Sequence, residues 1–186
     1  MSRLGFVEEY GNSVSHKRID IMLDYFQEFP TIIEGQRRIL IFQIKDELNF
    51  LRQPHHVDCG TVRLSQELSD PTAKEAIENV MIEDALLNET DISGLLCGMQ
   101  FEEKKFFRRQ FYILKKMQEE YLILQTQMLL LSNCEKKLFE LYMESGHDYR
   151  KIANQQGIQM DSARRRIWEI RKKIRVKTAD HMLEKI

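Results

Sequence analysis

Hydrophobic residues recur at helical spacing along most of the chain, and the clearest pattern lies towards its C-terminus. It predicts three short helices in succession. Gly146 ends the first helix, and Asp148 caps the second, which is predicted over Tyr149–Gln156. Gly157 then allows a tight turn into a third helix that begins near Met160. The apolar positions of this third helix form one stripe: Ala163, Ile167, Ile170 and Ile174.

The pattern predicts further helices upstream of this region. Residues 1–15 have no clear period and form either a loosely ordered arm or a short helix. Residues 16–29 and 31–52 are predicted as two helices separated at Pro30, because proline removes a backbone donor. Another helix over residues 69–88 opens with Ser-Asp-Pro-Thr, in which the Asp can cap and the Pro occupies the first turn.

A long helix is predicted over residues 101–131, where two sets of residues each recur every seven positions. This is the a/d register of a coiled coil, interrupted only by Gln110. The apolar face of the helix consists of Phe107, Leu114, Met117, Tyr121, Leu124, Met128 and Leu131. This face can pack lengthwise on the N-terminal helices of its own chain, or it can pair two copies as a homodimer. The spacing does not separate these alternatives.

The composition agrees with an all-α fold. The 186 residues include only 8 Gly and 3 Pro, while 31% are charged and 42% are hydrophobic. Three regions are expected: an acidic N-terminal helical region over residues 1–100, the long linker helix over residues 101–131, and a C-terminal domain over residues 132–186. We expect the N-terminal region to serve interactions with other proteins.

Charged residues are unevenly distributed along the chain, although the net charge is only -1. Residues 135–186 carry 13 Lys/Arg and 8 Asp/Glu, whereas residues 1–134 carry 15 and 21. The third C-terminal helix is expected to expose every position outside its stripe, including Arg164, Arg165, Arg166, Arg171, Lys172 and Lys173. A glycine turn followed by a basic helix is what a helix-turn-helix requires to enter the DNA major groove. The alternative is a basic helical hairpin that only packs on the protein.

The C-terminal sequence resembles the helix-turn-helix of sigma-factor region four and of LuxR-type response regulators. The shared pattern is an Ile-Ala pair at residues 152–153, a Gly-Ile turn at residues 157–158, and a basic helix that ends in Ile-x-x-x-Ile. Two positions depart from it. Gln156 stands where a Leu usually closes the second helix, and Gln159 stands where a Ser or Thr usually caps the third.

The whole layout resembles small phage- and prophage-encoded transcriptional regulators of the ArpU-like and positive-control-factor type. The resemblance rests on the order of the helices and on a Ser-Asp-Pro-Thr-Ala helix start at residues 69–73. It implies an activator of phage or prophage genes that binds double-stranded DNA. Because a lone domain with few base contacts binds weakly, either a second copy of the chain or RNA polymerase is expected to hold it in place.

The resemblance to region four assigns the base contacts to the first half of the third helix: Met160, Asp161, Arg164 and Arg165. An arginine can bond to guanine O6 and N7, and a carboxylate can accept from a cytosine amino group or orient an arginine. Contacts to phosphates, which set position, are expected from Tyr149, Arg150, Lys151, Ser162, Arg166, Arg171 and Lys172. Trp168 lies beside the inward stripe and is interpreted as a packing residue in preference to a backbone contact.

Three cysteines, far apart and odd in number, predict free thiols in a reducing cytoplasm. No apolar run approaches the length of a membrane span, and the first residues lack the apolar core of a signal peptide. We therefore expect a cytoplasmic bacterial protein that joins the nucleoid when bound. His55, His56 and Cys59 are metal-ligand types, but no second pair of ligands follows them. A polar loop is preferred there, and neither a metal nor a cofactor is expected.

Two other classes of function, an enzyme and a protein adaptor, are alternatives to DNA binding. An enzyme is not expected, because the chain has no Gly-rich phosphate loop, no paired metal carboxylates, and no Cys-His or Ser-His arrangement with usable spacing. The alternative to a DNA-binding regulator is a protein adaptor, such as a sigma-like decoy or anti-activator that contacts polymerase without reading DNA. Weak capping at Gln159 suits the adaptor, whereas the basic face favours DNA.

Overall fold

The computed structural model describes residues 3–52, 76–77, 80–85 and 92–182. These residues are mostly helical and contain no strand, which confirms the all-α prediction. Residues 76–77 and 80–85 are helical. The longer helices of the described residues are α1 (Arg3–Asn12), α2 (Ser15–Asp24), α3 (Phe29–Arg52), α4 (Phe101–Leu129), α5 (Asn133–Glu144), α6 (Tyr149–Gln156) and α7 (Met160–His181).

Pro30 belongs to the first turn of a helix, although the sequence pattern placed a break there. α2 ends at Asp24, turn residues follow, and α3 begins at Phe29. The prediction that one helix runs to residue 29 and the next starts after Pro30 is therefore wrong. Proline is tolerated at this position because the first N–H groups of a helix have no partner within it. Of the two alternatives for residues 1–15, the structure has the short helix, α1.

The chain forms two compact units, and the first is discontinuous in sequence. It comprises Met1–Ile33 together with Lys116–Ile186, and the second comprises Glu34–Lys115. The predicted divisions after residues 100 and 131 follow neither boundary. The N-terminal helices α1 and α2 therefore belong to the same unit as the C-terminal helices, a grouping that no local sequence pattern reveals.

A buried ion pair holds α1, α2 and α4 together in the first unit. Arg18 is 3% exposed, and its guanidinium donates through Nε and Nη2 to the two carboxylate oxygens of Glu120, each at 2.9 Å. The hydroxyl of Tyr10 donates to the same carboxylate at 2.6 Å. Burial, together with the charge of Glu120, raises the pKa of Tyr10 far above its ordinary value. Tyr10 therefore remains a donor, and both carboxylate oxygens have charge-assisted partners.

The heptad face of α4 is buried within the chain. Met117 and Leu124 are fully buried. Tyr121 stacks on Phe29 with ring centroids 5.3 Å apart, and its hydroxyl donates to the carbonyl of Phe26 at 2.8 Å. The remaining predicted members are buried or half-buried: Phe107, Leu114, Met128 and Leu131. Intrachain packing therefore accounts for the heptad pattern, and the alternative, in which this face pairs two copies as a homodimer, has no support in the structure.

The second unit has an apolar core of its own. Lys45 on α3 pairs with Glu83 in the helical residues 80–85 at 2.7 Å. The buried side chains of this unit include Leu40, Ile44, Ile82, Ile92, Leu96, Met99 and Ile113. Several predictions fall outside the described residues, namely the helix start at residues 69–72 and the loop residues His55, His56 and Cys59.

Replacing Glu120 with alanine should lower the free energy of unfolding by about 3–5 kcal/mol, because Arg18 is left buried without its carboxylate partner. Urea unfolding at neutral pH measures this change. Lys17→Ala is the control, since Lys17 forms an exposed pair with Glu9 at 2.9 Å and its loss should change stability by less than about 1 kcal/mol. Equal effects of the two substitutions would contradict the role assigned to the buried pair.

Candidate nucleic-acid interface

A capping box fixes the start of α5 at Ser132. The Ser132 hydroxyl accepts from the backbone N–H of Glu135 at 3.4 Å, and the Glu135 carboxylate accepts from the backbone N–H of Ser132 at 2.9 Å. Lys173 on α7 donates to the same carboxylate at 2.9 Å, so this contact joins α5 to α7. The Ser132 hydroxyl, Lys173 and the Ser132 backbone together lower the pKa of Glu135 to about 2. The Ser-x-x-Glu spacing could have predicted this cap from the sequence.

The turn between α5 and α6 places two residues in the left-handed backbone region. Gly146 has a φ of 68°, and His147 has a φ of 69°. The ring of His147 stacks on Tyr142 with centroids 4.6 Å apart, which offsets part of the cost of that conformation. Asp148 then caps α6 by accepting from the backbone N–H two residues further on, at 2.9 Å. The predicted cap and the predicted bounds Tyr149–Gln156 are both confirmed.

The turn between α6 and α7 depends on Gly157. Its φ of 61° is left-handed, a conformation that glycine adopts without steric penalty. The N–H of Ile158 bonds back to the carbonyl of Ala153 at 3.0 Å, which closes the end of α6. α7 begins at Met160, as predicted, although the side chain of Gln159 makes no capping hydrogen bond. The glycine therefore sets the direction in which α7 leaves α6.

α7 packs against α2, α5 and α6, and its apolar stripe is buried. The predicted stripe is confirmed, since each member is at most 3% exposed: Ala163, Ile167, Ile170 and Ile174. The helix continues beyond the predicted stripe to His181 and adds Thr178 to the buried row. With 22 residues, α7 is about 33 Å long.

The predicted base contacts lie on an exposed side of α7, within its first two turns. They are Met160, Asp161, Arg164 and Arg165. Most of the predicted phosphate contacts are exposed as well, namely Arg150, Lys151, Ser162, Arg166 and Lys172. Tyr149 is half-buried, and its ring lies beside Arg164. The structure therefore brings the first residues of α6 and of α7 to neighbouring positions.

Neighbouring side chains restrain the two arginines at the start of α7. The guanidinium carbon of Arg164 lies 5.5 Å from the ring centroid of Tyr149, and its Nη1 is 3.9 Å from Asp161. Arg165 donates through Nε to Glu169 at 3.2 Å. Burial, followed by the contact with a neighbouring tyrosine, raises the pKa of Tyr149, so this phenol is neutral beneath Arg164. Both guanidinium groups thus have preferred directions in the unbound protein.

Arg171 and Lys173 depart from the prediction that every position outside the stripe is exposed, since both are half-buried. Arg171 is the more buried of the two. Its guanidinium donates to Asp24 on α2 at 2.7 Å and to the hydroxyl of Tyr142 at 3.3 Å. Burial disfavours the charged form, but these two bonds outweigh it and raise the pKa of Arg171 above its ordinary value. Arg175, one turn further on, pairs with Asp20 of α2. The charge of Arg171 is therefore matched inside the protein, because α2 packs beside α7.

Trp168 is 58% exposed, so its interpretation as a packing residue is wrong. Each residue of a helix turns by about 100°, which carries Trp168 away from the buried Ile167 and past the edge of the stripe. Lys172 places its ammonium over the indole, 5.1 Å from the ring centroid. The position of Trp168 beside the inward stripe suggested burial, but the sequence does not tell which flank of the stripe is covered by other helices.

No protein-family model matches the chain, and no curated protein or solved structure matches it either. Among the described residues, no helix is both long enough and apolar enough to span a bilayer. In the same part of the chain, no group of His, Cys, Asp and Glu side chains could hold a metal ion. The thiols of Cys97 and Cys134 are free, as predicted.

Gly157→Ala should lower the free energy of unfolding by about 1–2 kcal/mol, because other residues adopt the left-handed conformation at that cost. A Cβ added there would meet no atom within 4 Å, so the effect is conformational. Gly35→Ala is the control, and its change in the free energy of unfolding should have the opposite sign. Gly35 lies inside α3 with equally open space, and the substitution should raise stability by about 0.5–1 kcal/mol. Urea unfolding measures both changes, and a gain in both variants would contradict the requirement for glycine at the turn.

The effect of Glu135→Gln on stability should depend on pH. Glutamine keeps the capping box but loses the charge that pairs with Lys173. The folded-state pKa of about 2 lies below the ordinary 4.5, so the carboxylate stabilises the fold above pH 4.5 and loses this contribution as the pH falls towards 2. The wild type should therefore be more stable than the variant at neutral pH, and this difference should shrink as the pH falls towards 2 and disappear below it. An NMR titration of Glu135 with a midpoint near 4.5 would overturn this expectation.

Proposed function

We propose that the protein is a sequence-specific DNA-binding regulator of transcription and that α5, α6 and α7 act as a helix-turn-helix. The observation that carries this proposal is that α7 follows a tight turn at Gly157, buries one apolar stripe and exposes a basic side. A helix of this kind fits the major groove, with its N-terminal residues at the base edges. α7 is then the recognition helix.

Arg164 and Arg165 are the main base-reading residues in this proposal. Each can form a pair of hydrogen bonds to guanine O6 and N7, worth about 1–3 kcal/mol of discrimination. Asp161 accepts from a cytosine amino group or aligns Arg164, from which it is 3.9 Å away. Met160 contacts a thymine methyl group.

The phosphate contacts in this proposal set the position of α7 and carry little sequence information. They come from Arg150, Lys151, Ser162, Arg166 and Lys172, which are exposed. Tyr149 acts mainly by supporting Arg164. Arg171 contributes less to affinity than the exposed residues, since its ion pair with Asp24 would have to break before it could bind a phosphate.

The narrower proposal is that this regulator activates phage or prophage genes in the bacterial cytoplasm. Its support is the resemblance to ArpU-like and positive-control-factor regulators in the order of the helices. RNA polymerase is the proposed protein partner, bound by the acidic N-terminal region. Because α1 and α2 share a compact unit with α7, a partner bound to them would be held at a defined distance from the DNA.

A protein-binding adaptor is the second candidate, and the exposure of large apolar side chains on α7 favours it. Trp168 is 58% exposed and Val176 is 52% exposed. Tryptophan is enriched where proteins bind one another. In this alternative, a sigma-like decoy or anti-activator contacts polymerase through α7 and does not read DNA. Salt separates the two candidates, because DNA binding through phosphates weakens steeply as salt rises.

The test is binding of the 186-residue chain, in a salt series, to DNA fragments from its own gene neighbourhood. The wild type should prefer one fragment, and Arg164→Ala/Arg165→Ala should lose that preference, with affinity for the fragment falling by about 10-fold or more. The control, Lys17→Ala/Arg38→Ala, removes two exposed positive charges from α2 and α3 and should keep the preference.

The outcomes separate the candidates. If wild type and both variants bind every fragment alike, α7 does not read sequence. If the wild type binds no fragment even at low salt, the DNA proposal fails and the adaptor takes its place.

A further inference from the structure

Trp168 and Lys172 form an exposed pair on the outer side of α7. Trp168 is the sole tryptophan of the chain, and the Lys172 ammonium lies 5.1 Å from the centroid of its ring. A cation over the face of an indole is attracted by the π electrons, so each side chain restrains the other. The exposed indole presents an apolar ring and an N–H donor at the same place. The pair thus offers three kinds of contact within one helical turn.

This pair lies on the same side of α7 as the proposed base-reading residues. Trp168 follows Arg164 by four positions and Arg165 by three, the spacings that bring side chains together on one helix side. Lys172 follows after another four positions. Along its length, this side of α7 therefore presents first two arginines and then a tryptophan ring with a lysine.

The distance from the start of α7 places the pair at the rim of the major groove. Trp168 lies eight residues after Met160, which at about 1.5 Å per residue is about 12 Å along the axis. The groove is about 8.5 Å deep and about 12 Å wide. With Met160 at the base edges, Trp168 therefore reaches the sugar–phosphate wall whether the helix enters end-on or lies across the groove.

We propose that Trp168 and Lys172 together bind one sugar–phosphate unit at this rim, an inference that rests on the proposed DNA-binding function. The indole ring packs on the deoxyribose, Nε1–H donates to a phosphate oxygen, and the Lys172 ammonium pairs with the same phosphate. This contact carries no sequence information. It fixes how deeply α7 enters the groove and so places Arg164 and Arg165 at the base edges.

The charges around the ring favour a phosphate over an apolar protein surface. Arg164 and Arg165 precede the ring by one turn, and Lys172 follows it by one turn. The neighbouring acidic residue, Glu169, already accepts from Arg165 at 3.2 Å. An apolar partner would bury these cations without compensation, whereas a phosphate backbone complements them.

A single tryptophan makes the test direct, because the intrinsic tryptophan fluorescence of the protein reports on this one position. The full chain is titrated at low salt with a mixed-sequence duplex of about 20 base pairs, a condition in which phosphate contacts dominate binding. The emission of Trp168 should change, and its midpoint should equal that of the mobility shift measured in the same buffer.

Variants then separate the backbone contact from base reading. Trp168→Ala should weaken binding to every duplex by about 3- to 10-fold, with sequence preference retained, and Trp168→Phe should show a smaller loss because it keeps a ring. Lys172→Ala should lower the slope of log affinity against log salt by about 1. Val176→Ala is the control: Val176 is 52% exposed but lies eight residues beyond Trp168, outside the groove, so this variant should bind as the wild type does.

The outcomes distinguish this inference from the proposed function. Emission that changes on binding, with affinity lost and preference kept in Trp168→Ala, supports the backbone contact. If the protein binds DNA but its emission and the affinity of Trp168→Ala are unchanged, the inference fails and the regulator proposal stands. If Trp168→Ala loses preference as Arg164→Ala/Arg165→Ala does, the residue reads bases and the backbone assignment is overturned. If the wild type binds no duplex, both proposals fail.

Discussion

The ion pair between Arg18 and Glu120 is the contact on which the arrangement of the first unit depends. It is almost excluded from water and joins α2 to α4, while the hydroxyl of Tyr10 adds α1 to the same carboxylate. With α2 fixed in this way, its acidic side chains meet two arginines of α7. On α5, Glu135 binds a lysine of α7. The proposed recognition helix is therefore held by polar contacts from two other helices, in addition to its apolar stripe.

These contacts change the electrostatic picture that the sequence suggests. Between residues 150 and 177 the chain has ten basic and two acidic residues, which points to a uniformly positive segment. In the fold, Arg171, Lys173 and Arg175 have acidic partners on other helices. Most of the remaining positive charge lies at the start of α6 and in the first turns of α7. The field is thus concentrated at the end of α7 that the proposal inserts into the groove.

Sequence patterns predicted the features that depend on near neighbours. The Asp148 cap, the start of α7 after Gly157, and the stripe of α7 each involve residues a few positions apart, and all three are confirmed. The exposure of Arg171 and the burial of Trp168 were predicted wrongly. Both depend on which flanks of α7 are covered by other helices, and the Asp24–Arg171 contact joins residues 147 positions apart. Local periodicity carries no information about such distant partners.

The discontinuous first unit also determines the order in which the chain can fold during synthesis. Residues 34–115, the second unit, are all synthesised before the ribosome adds Glu120. Until then the carboxylate that pairs with Arg18 is not part of the chain. Joining the two residues closes a loop of 102 positions, with the entropy cost that such closure carries. α7 follows later still. A chain in which α7 is not yet synthesised therefore lacks the α2–α7 contact, so the proposed DNA-reading surface can assemble only after the whole second unit has been synthesised.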